Sequence, residues 1–502
     1  MSHPGTALDL RLVPAAVLSW SGAAWAVGAR YYLPVVLVLL LLAAAGIHRL
    51  RRRVRARHRQ VTHGLLPALV LAVLVCALVV TVGGQRSRDR AELVQPWDGQ
   101  TVTVTVQLQR EARPHEQGSI ADAALVGVNE RAGPLDVPVV VLGGTRWLDL
   151  PFGARVRTRA RLAVTEPGQD RALLVVARDI EEVTPPSGWR ASVAGIRGGL
   201  AQLAAPLSPA ARGLVPGIAL GDTRMLPARL KTDLQITSLT HLTAISGAHV
   251  ALVLAVVLVA LWWAPRWIRA LVGAVVLVAF VALVRPEGSV LRAGVMGAVM
   301  LLGIALRRPR TGLPALCCAV VVLIAADPWI ARSYGFALSV LATSGLLLVA
   351  PWLVARTTAV LPRALAIALI VPLAAQLACL PVLVLLQPQL PVYGVAANIL
   401  AAPVVAPATI LGVLAALLAP HWPAVAVVLL RPAAWCAEWV ATVATTLAGL
   451  PGAAVAWPVA ALAGGVLLVA VLLLGRRRLL ARVRGGAAQE GRREMSAGRG
   501  RL

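Results

Sequence analysis

Charge is scarce in this chain. Only 14% of its 502 residues are Asp, Glu, Lys or Arg, against about one quarter in an ordinary globular domain, and that shortage excludes a soluble globular class. Lysine is all but missing, with Lys231 alone among 48 basic residues, which reflects a compositional bias toward arginine. An ATP-binding Gly-rich loop ending in Lys-Ser/Thr is thereby excluded, because Lys231 lies in Arg229-Leu-Lys-Thr-Asp233 without the glycines. Any energy from ATP must come from a partner. Cysteine is confined to Cys76, Cys317, Cys318, Cys379 and Cys436, all in or beside apolar runs, so a domain outside those runs has no disulfide to rely on.

Apolar residues are what the chain has in excess, at 58%, with a mean hydropathy of +0.78. Runs long enough to cross about 30 Å of hydrocarbon as helices fall near residues 13–29, 31–47, 64–84, 243–263, 268–284, 290–306, 311–327, 335–353, 364–386, 392–419, 424–446 and 455–475. The expected fold class is therefore a polytopic α-helical membrane protein of about twelve transmembrane helices. Short cytoplasmic loops collect positive charge, which puts the arginines between 49 and 59 inside. Alternation then puts Arg266 and Arg269, Arg307 to Arg310, Arg356 and Arg363, and Arg476 to Arg478 on the same side. Both termini are expected in the cytoplasm. Trp262, Trp263, Trp267, Trp352 and Trp457 fall at span ends, as headgroup anchors do. Ala26-Val-Gly-Ala29 after a short apolar run is also a pattern that signal peptidase could cut.

Five segments follow: N-terminal transmembrane helices at 1–84, a soluble insert at 85–190, an amphipathic linker at 191–242, a transmembrane core at 243–475 and a basic tail at 476–502. The parity of spans places the insert outside. Its pattern has period two, first in Thr101-Val-Thr-Val-Thr-Val-Gln-Leu108 and again at 137–142, 155–164 and 172–180, which predicts a small β-barrel of about five strands. Arg155, Arg157, Arg159 and Arg161 alternate with Val156, Thr158, Ala160 and Leu162. All four guanidinium groups then share one strand face, roughly 6.6 Å apart, a spacing suited to successive phosphates of a single strand. A solvated face balancing local acids would have the same pattern, since the insert holds fourteen arginines and fourteen acidic residues. In the linker, Arg197, Arg212, Arg224, Arg229 and Lys231 outnumber Asp222 and Asp233. A surface-lying segment that guides a polyanion, or one that holds anionic lipid headgroups, would account for them.

Within the apolar runs the polar residues are few. His241, Ser246 and His249 lead into the fourth span, and Ser246 and His249 stand three apart, on one helical face. They would serve as a polar cluster at a pore mouth, as satisfied helix-packing groups, or as a nucleophile with its base. Arg292 opens the sixth span and is expensive to bury alone; Glu287 is a possible counter-charge. Gln376 and Asn398 are further polar groups with no place against lipid, and Pro372, Pro381, Pro403 and Pro407 are expected to break helices where backbone lines a cavity.

Five strings in order, Gly213-Leu-Val-Pro-Gly-Ile-Ala-Leu-Gly-Asp222, Thr240-His-Leu-Thr-Ala-Ile-Ser-Gly-Ala-His249, Gly288-Ser-Val-Leu-Arg-Ala293, Tyr334-Gly-Phe-Ala-Leu-Ser339 and Ala374-Ala-Gln-Leu-Ala378, resemble the core of the ComEC family of competence proteins. The resemblance covers most of the chain after residue 213. It implies an external OB-like barrel and a cytoplasmic-membrane channel that passes single-stranded DNA in natural transformation. Asp222, His241, Ser246, His249, Arg292, Gln376 and Asn398 become candidates for the path, with no catalytic residue, metal or cofactor of the chain's own. As partners it implies an external DNA receptor, a cytoplasmic ATP-driven motor and a separate nuclease; anionic lipids are further expected contacts. The sequence departs from the family at Ala337, where many members have Gln. It also lacks the His-x-His-x-Asp-His cluster of the metallo-β-lactamase-like domain that many members carry, its last histidine being His421. The rival reading is an intramembrane hydrolase or transferase acting on a lipid-linked substrate through Ser246 and His249. A small-molecule transporter is a further possibility, for which the spans show no inverted repeat.

Overall fold

A computed structural model describes residues 9–29, 31–56, 65–116, 118–129, 131–243, 245–285, 288–307, 312–358, 360–387 and 389–456. The last expected span, the basic tail, Trp457 and Glu287 lie outside these residues. Helices α1 (Val13–Ala26), α2 (Leu33–Ala56) and α3 (Leu65–Val94) come first. The strands β1 (Thr101–Leu108), β2 (Arg113–His115), β3 (Gly118–Val128), β4 (Arg131–Gly143), β5 (Arg155–Val164) and β6 (Leu173–Thr184) follow. The remainder is helical: α4 (Trp189–Ala204), α5 (Pro209–Leu220), α6 (Ala228–Ile236), α7 (Gly247–Ala260), α8 (Arg266–Val284), α9 (Gly288–Ala305), α10 (Gly312–Ala326), α11 (Tyr334–Ser344), α12 (Ala350–Thr357), α13 (Arg363–Leu386), α14 (Gly394–Leu418) and α15 (Pro423–Ala448). Two short strands, β7 (Gln389–Pro391) and β8 (Ala454–Ala456), pair antiparallel.

The insert closes on itself. β1 pairs antiparallel with both β3 and β5, β3 with β4 and β5 with β6, while β4 and β6 run parallel, so five strands form a ring and β2 extends the β3 edge. Alternation explains the closure. Val104, Val106, Leu108, Leu125, Val139, Val141, Val156, Leu162, Leu173 and Val175 turn inward and pack around the buried Trp147. The period-two signal marks β1 and β5 at their observed bounds, whereas β3 escapes it. Its centre, Ala121-Asp-Ala-Ala124, is rich in a residue that strands otherwise avoid.

Six helices among the described residues are long and apolar enough to cross a membrane: 66–97, 266–284, 334–357, 363–386, 394–418 and 423–448. Four more apolar helices among the described residues are shorter, so the helices that stand at the expected spans are of mixed length. α7 shows why. Ser246 caps it and the Trp262-Trp263 turn ends it, leaving 14 residues, or about 21 Å against about 30 Å of hydrocarbon. Trp262, Trp263, Trp267 and Trp352 are all exposed, consistent with ring anchors at helix ends. The prolines do not break their helices: α13 runs through Pro372 and Pro381, and α14 through Pro403 and Pro407.

Helices α4 to α9 pack with α14 and α15 around one core, while α1, α3, α10 and α11 share a second. α9 joins the two, placing Val290, Ala293 and Leu301 in the first and Leu291, Val295 and Met296 against the second. The linker is not wholly a surface segment, as the sequence suggested. Residues Gly213 to Leu220 of α5 are buried between α14 and α15, because the run Gly213-Leu-Val-Pro-Gly-Ile-Ala-Leu220 carries no charge. Gly213 is required there: a Cβ would lie 2.6 Å from the Leu226 Cα. Gly221, at φ +70°, closes the helix in the left-handed conformation.

Candidate functional site

Barrel and helices meet in a buried ionic cluster. Glu111, in the turn after β1, is 6% exposed, and Arg197 on α4 is 2% exposed. Arg197 Nε donates to Glu111 Oε1 at 2.9 Å, and its Nη1 donates to the Leu220 carbonyl at 2.8 Å and the Leu283 carbonyl at 3.3 Å. Arg285, the residue that ends α8, pairs with the other Glu111 oxygen. Asp222, just past α5, takes Arg224 Nε at 3.0 Å and Nη2 at 2.7 Å, and Arg197 Nη2 lies 4.0 Å from it.

Burial alone would raise the pKa of both carboxyls. Arg197 and Arg285 outweigh it at Glu111 and hold that group below its ordinary value, while Arg224 and then Arg197 push Asp222 down to about 2. Both carboxylates are charged at neutral pH. Arg285 adopts φ +73°, a conformation non-glycine residues rarely keep unless their surroundings fix it, and the Glu111 pair does so here.

Asp222, taken from the sequence as a path residue, is thus tied into an ionic lock. Glu111 and Arg285 were not anticipated, and Arg197 was read as a surface cation. For Arg197 the signal was present, because Val193, Arg197, Leu200 and Ala204 form one buried stripe of α4, a spacing that places the arginine among apolar neighbours. Glu111 carries no such mark, since only the barrel's docking buries it.

A second contact holds the barrel. Arg90 at the end of α3 donates to the carbonyls of Gln169 at 2.7 Å and Asp170 at 3.1 Å, and its guanidinium stacks 4.4 Å from the Trp329 ring centroid. The loop between β5 and β6 is thereby fastened to the segment after α10, beside a cavity of about 530 Å³ that Asp136, Arg171 and Asp327 also line.

Next to the ionic cluster, the starts of α7 and α9 come together. Ser289 Oγ donates to the Ile245 carbonyl at 2.9 Å, and a Cβ on Gly247 would lie 3.7 Å from the Ala293 Cβ and 3.8 Å from Arg292 Nη2. Ser246 and His249 make the contact their spacing allows. His249 Nδ1 accepts the Ser246 backbone N–H at 3.2 Å and lies 3.1 Å from Ser246 Oγ. This is a capping box with histidine in the place usual for Glu or Gln. His249 is 3% exposed and its Nε2 meets no partner; Arg292 is likewise 3% exposed, with Nε and Nη1 unpaired. No carboxylate among the described residues orients the imidazole as a catalytic base requires.

The other expected path residues stand apart. His241 is exposed on the turn before α7, its Nδ1 2.9 Å from the Ser238 carbonyl. Asn398 bonds within α14, to the Gly394 carbonyl at 2.8 Å. Gln376 is half-buried on α13, the helix that packs on α11 and the turn of wide pitch at Gly345–Val349.

The arginine stripe alternates as expected. Val156, Thr158, Ala160 and Leu162 are buried, Arg155, Arg159 and Arg161 exposed, and Arg157 half-exposed. One flank is Thr101, Thr103 and Thr105 of β1 in register with Arg161, Arg159 and Arg157. The other flank is acidic: Arg157 pairs with Glu181 of β6 at 3.5 Å, so one of the four is balanced locally.

A family model described as Competence protein matches residues 218–481, more than half of the chain. It begins within α5, two residues before the ionic cluster's Leu220, and takes in α7, α9 and the helices beyond. No curated protein and no solved structure matches the chain.

Proposed function

The chain belongs to the competence protein family, and from that premise we propose that it is the conduit for single-stranded DNA across the cytoplasmic membrane in natural transformation. One observation carries the reading: a closed barrel with an exposed arginine face is locked through Glu111 to Arg197 of α4 and to Arg285, which lies within the family match next to the start of α9. The strand order of the ring, with β4 and β6 parallel, supports an OB-like barrel, a fold whose members bind oligonucleotides.

In this reading the barrel faces outward and both termini lie in the cytoplasm, in keeping with the arginine-rich loops. Arg155, Arg159 and Arg161 capture the backbone of the strand electrostatically. Passage is conduction and needs no bond chemistry from this chain. A DNA receptor outside, an ATP-driven motor inside and a separate nuclease complete the system, and anionic lipids surround it.

The test is entry of labelled DNA into a DNase-resistant pool in competent cells with the chain deleted and then restored. Entry lost on deletion, with surface binding kept, supports the conduit; unchanged entry refutes it. The 3.1 Å Ser246–His249 contact keeps a second reading in view, an intramembrane hydrolase or transferase on a lipid-linked substrate. Ser246→Ala that abolished a lipid conversion while sparing DNA entry would select it.

A further inference from the structure

Arg292 poses a physical problem that the fold leaves open. Its guanidinium is almost fully buried, yet Nε and Nη1 have no partner. Arginine does not shed its charge in proteins, and an uncompensated buried cation is among the costliest groups a protein can hold. The carboxylates of the neighbouring cluster are already engaged, Glu111 by Arg197 and Arg285 and Asp222 by Arg224. His249 adds a second unmet group. Because its Nδ1 accepts the Ser246 N–H, the neutral ring carries its proton on Nε2, a buried donor without an acceptor.

The backbone adds the same sign. α7 and α9, of 14 and 18 residues, meet at their N-terminal ends, where the helix dipole favours an anion. Gly247 lies directly against Arg292: a Cβ there would sit in ordinary contact 3.8 Å from Nη2, so a longer side chain would crowd the guanidinium. Among the described residues, the buried side-chain atoms left unmet at this junction, Arg292 Nε and Nη1 and His249 Nε2, are all donors. The guanidinium fork matches the paired oxygens of a phosphate.

We propose that the joined starts of α7 and α9 form a binding site for one phosphodiester, held by the Arg292 guanidinium. The choice of a DNA phosphate as its occupant rests on the conduit reading; the shared chemistry extends to lipid headgroups and inorganic phosphate. As the strand advances, successive phosphates occupy the site in turn.

The experiment uses the full chain in nanodiscs of phosphatidylcholine, with fluorescent oligothymidylate binding followed by anisotropy across a salt series. Arg292→Gln is expected to weaken binding about ten- to a hundredfold and to lower the salt slope by about 0.7, the share of one single-strand phosphate. Arg292→Lys keeps the slope and loses part of the affinity, as a point charge replaces the fork. Gly247→Leu keeps Arg292 but fills the space beside it, so it loses binding without removing a charge, and it covers the case in which Arg292→Gln fails to fold.

Two further arms separate the sources: inorganic phosphate, and phosphatidylglycerol in the nanodisc, each tested for protecting wild type and Arg292→Gln against thermal unfolding. Protection of wild type alone by either, with no oligothymidylate binding, upholds the anion site and sinks the DNA reading. Wild-type affinity and slope in both Arg292→Gln and Gly247→Leu overturn the site, and leave the conduit reading standing if the barrel arginines still matter.

Discussion

At the scale of single residues the decisive fact is that Glu111 answers two arginines at once. Replacing it by Gln leaves Arg197 and Arg285 buried with half their partner lost, a change that typically costs roughly 3–5 kcal/mol. Glu111→Gln should therefore lower the thermal midpoint of the detergent-solubilised chain by several degrees, whereas Glu166→Gln, at an exposed position between β5 and β6, should leave it in place. The same cluster gives a pH signature. Glu111 and Asp222 have folded pKa values below their unfolded ones, so the folded state binds fewer protons and their contribution is complete above the ordinary carboxylate range. It fades as pH falls from about 4 toward the Asp222 value of about 2. Limited proteolysis of the barrel is expected to be flat from pH 5 to 8 and to rise only in that acid window. Arg197 was readable in sequence from its place on a buried stripe. Glu111 was not, because its partners lie 86 and 174 residues away.

Elements were legible where a period was clean. β1 and β5 announce themselves by alternation, and α13 by the apolar run 364–386, which the helix Arg363–Leu386 matches to within one residue. α5 was misread as surface-lying because its basic surroundings masked an uncharged centre that the α14–α15 pair buries. Gly345 marks a place where two elements approach too closely for any side chain: a Cβ would lie 2.7 Å from the Ala374 carbonyl oxygen. Gly345→Ala should force α11 from α13 and cost about 1–3 kcal/mol, read as a lower thermal midpoint, while Gly195→Ala on α4, where a Cβ meets nothing, should not lower it. The arginine strand gives a binding prediction. Changing Arg155, Arg159 and Arg161 together to Gln should reduce the salt slope of single-strand binding by roughly 2, about 0.7 per phosphate, with the barrel intact because these side chains point outward.

On the scale of the whole molecule, two fastenings seat the barrel on the helices: the Glu111 lock and the Arg90–Trp329 clamp. Neither is visible in the order of motifs, which reports the helices of the core and says nothing of how an insert docks on them. Three of the five family strings lie near this junction: Gly213 and Gly221 answer demands of close packing and helix termination, Ser246 caps α7, and Arg292 brings a buried, unpaired guanidinium. The central claim is that DNA passes along the barrel face and then the α7–α9 junction. Photocrosslinking tests it most directly, with a crosslinking residue placed singly at 159, 248 or 278 in competent cells and incoming labelled DNA stalled in transit. The account predicts crosslinks to single-stranded DNA from 159 and from 248, an exposed position on the first turn of α7, and none from 278, an exposed apolar position on α8. DNA that enters normally while neither 159 nor 248 crosslinks, or crosslinks no more than 278, would contradict it.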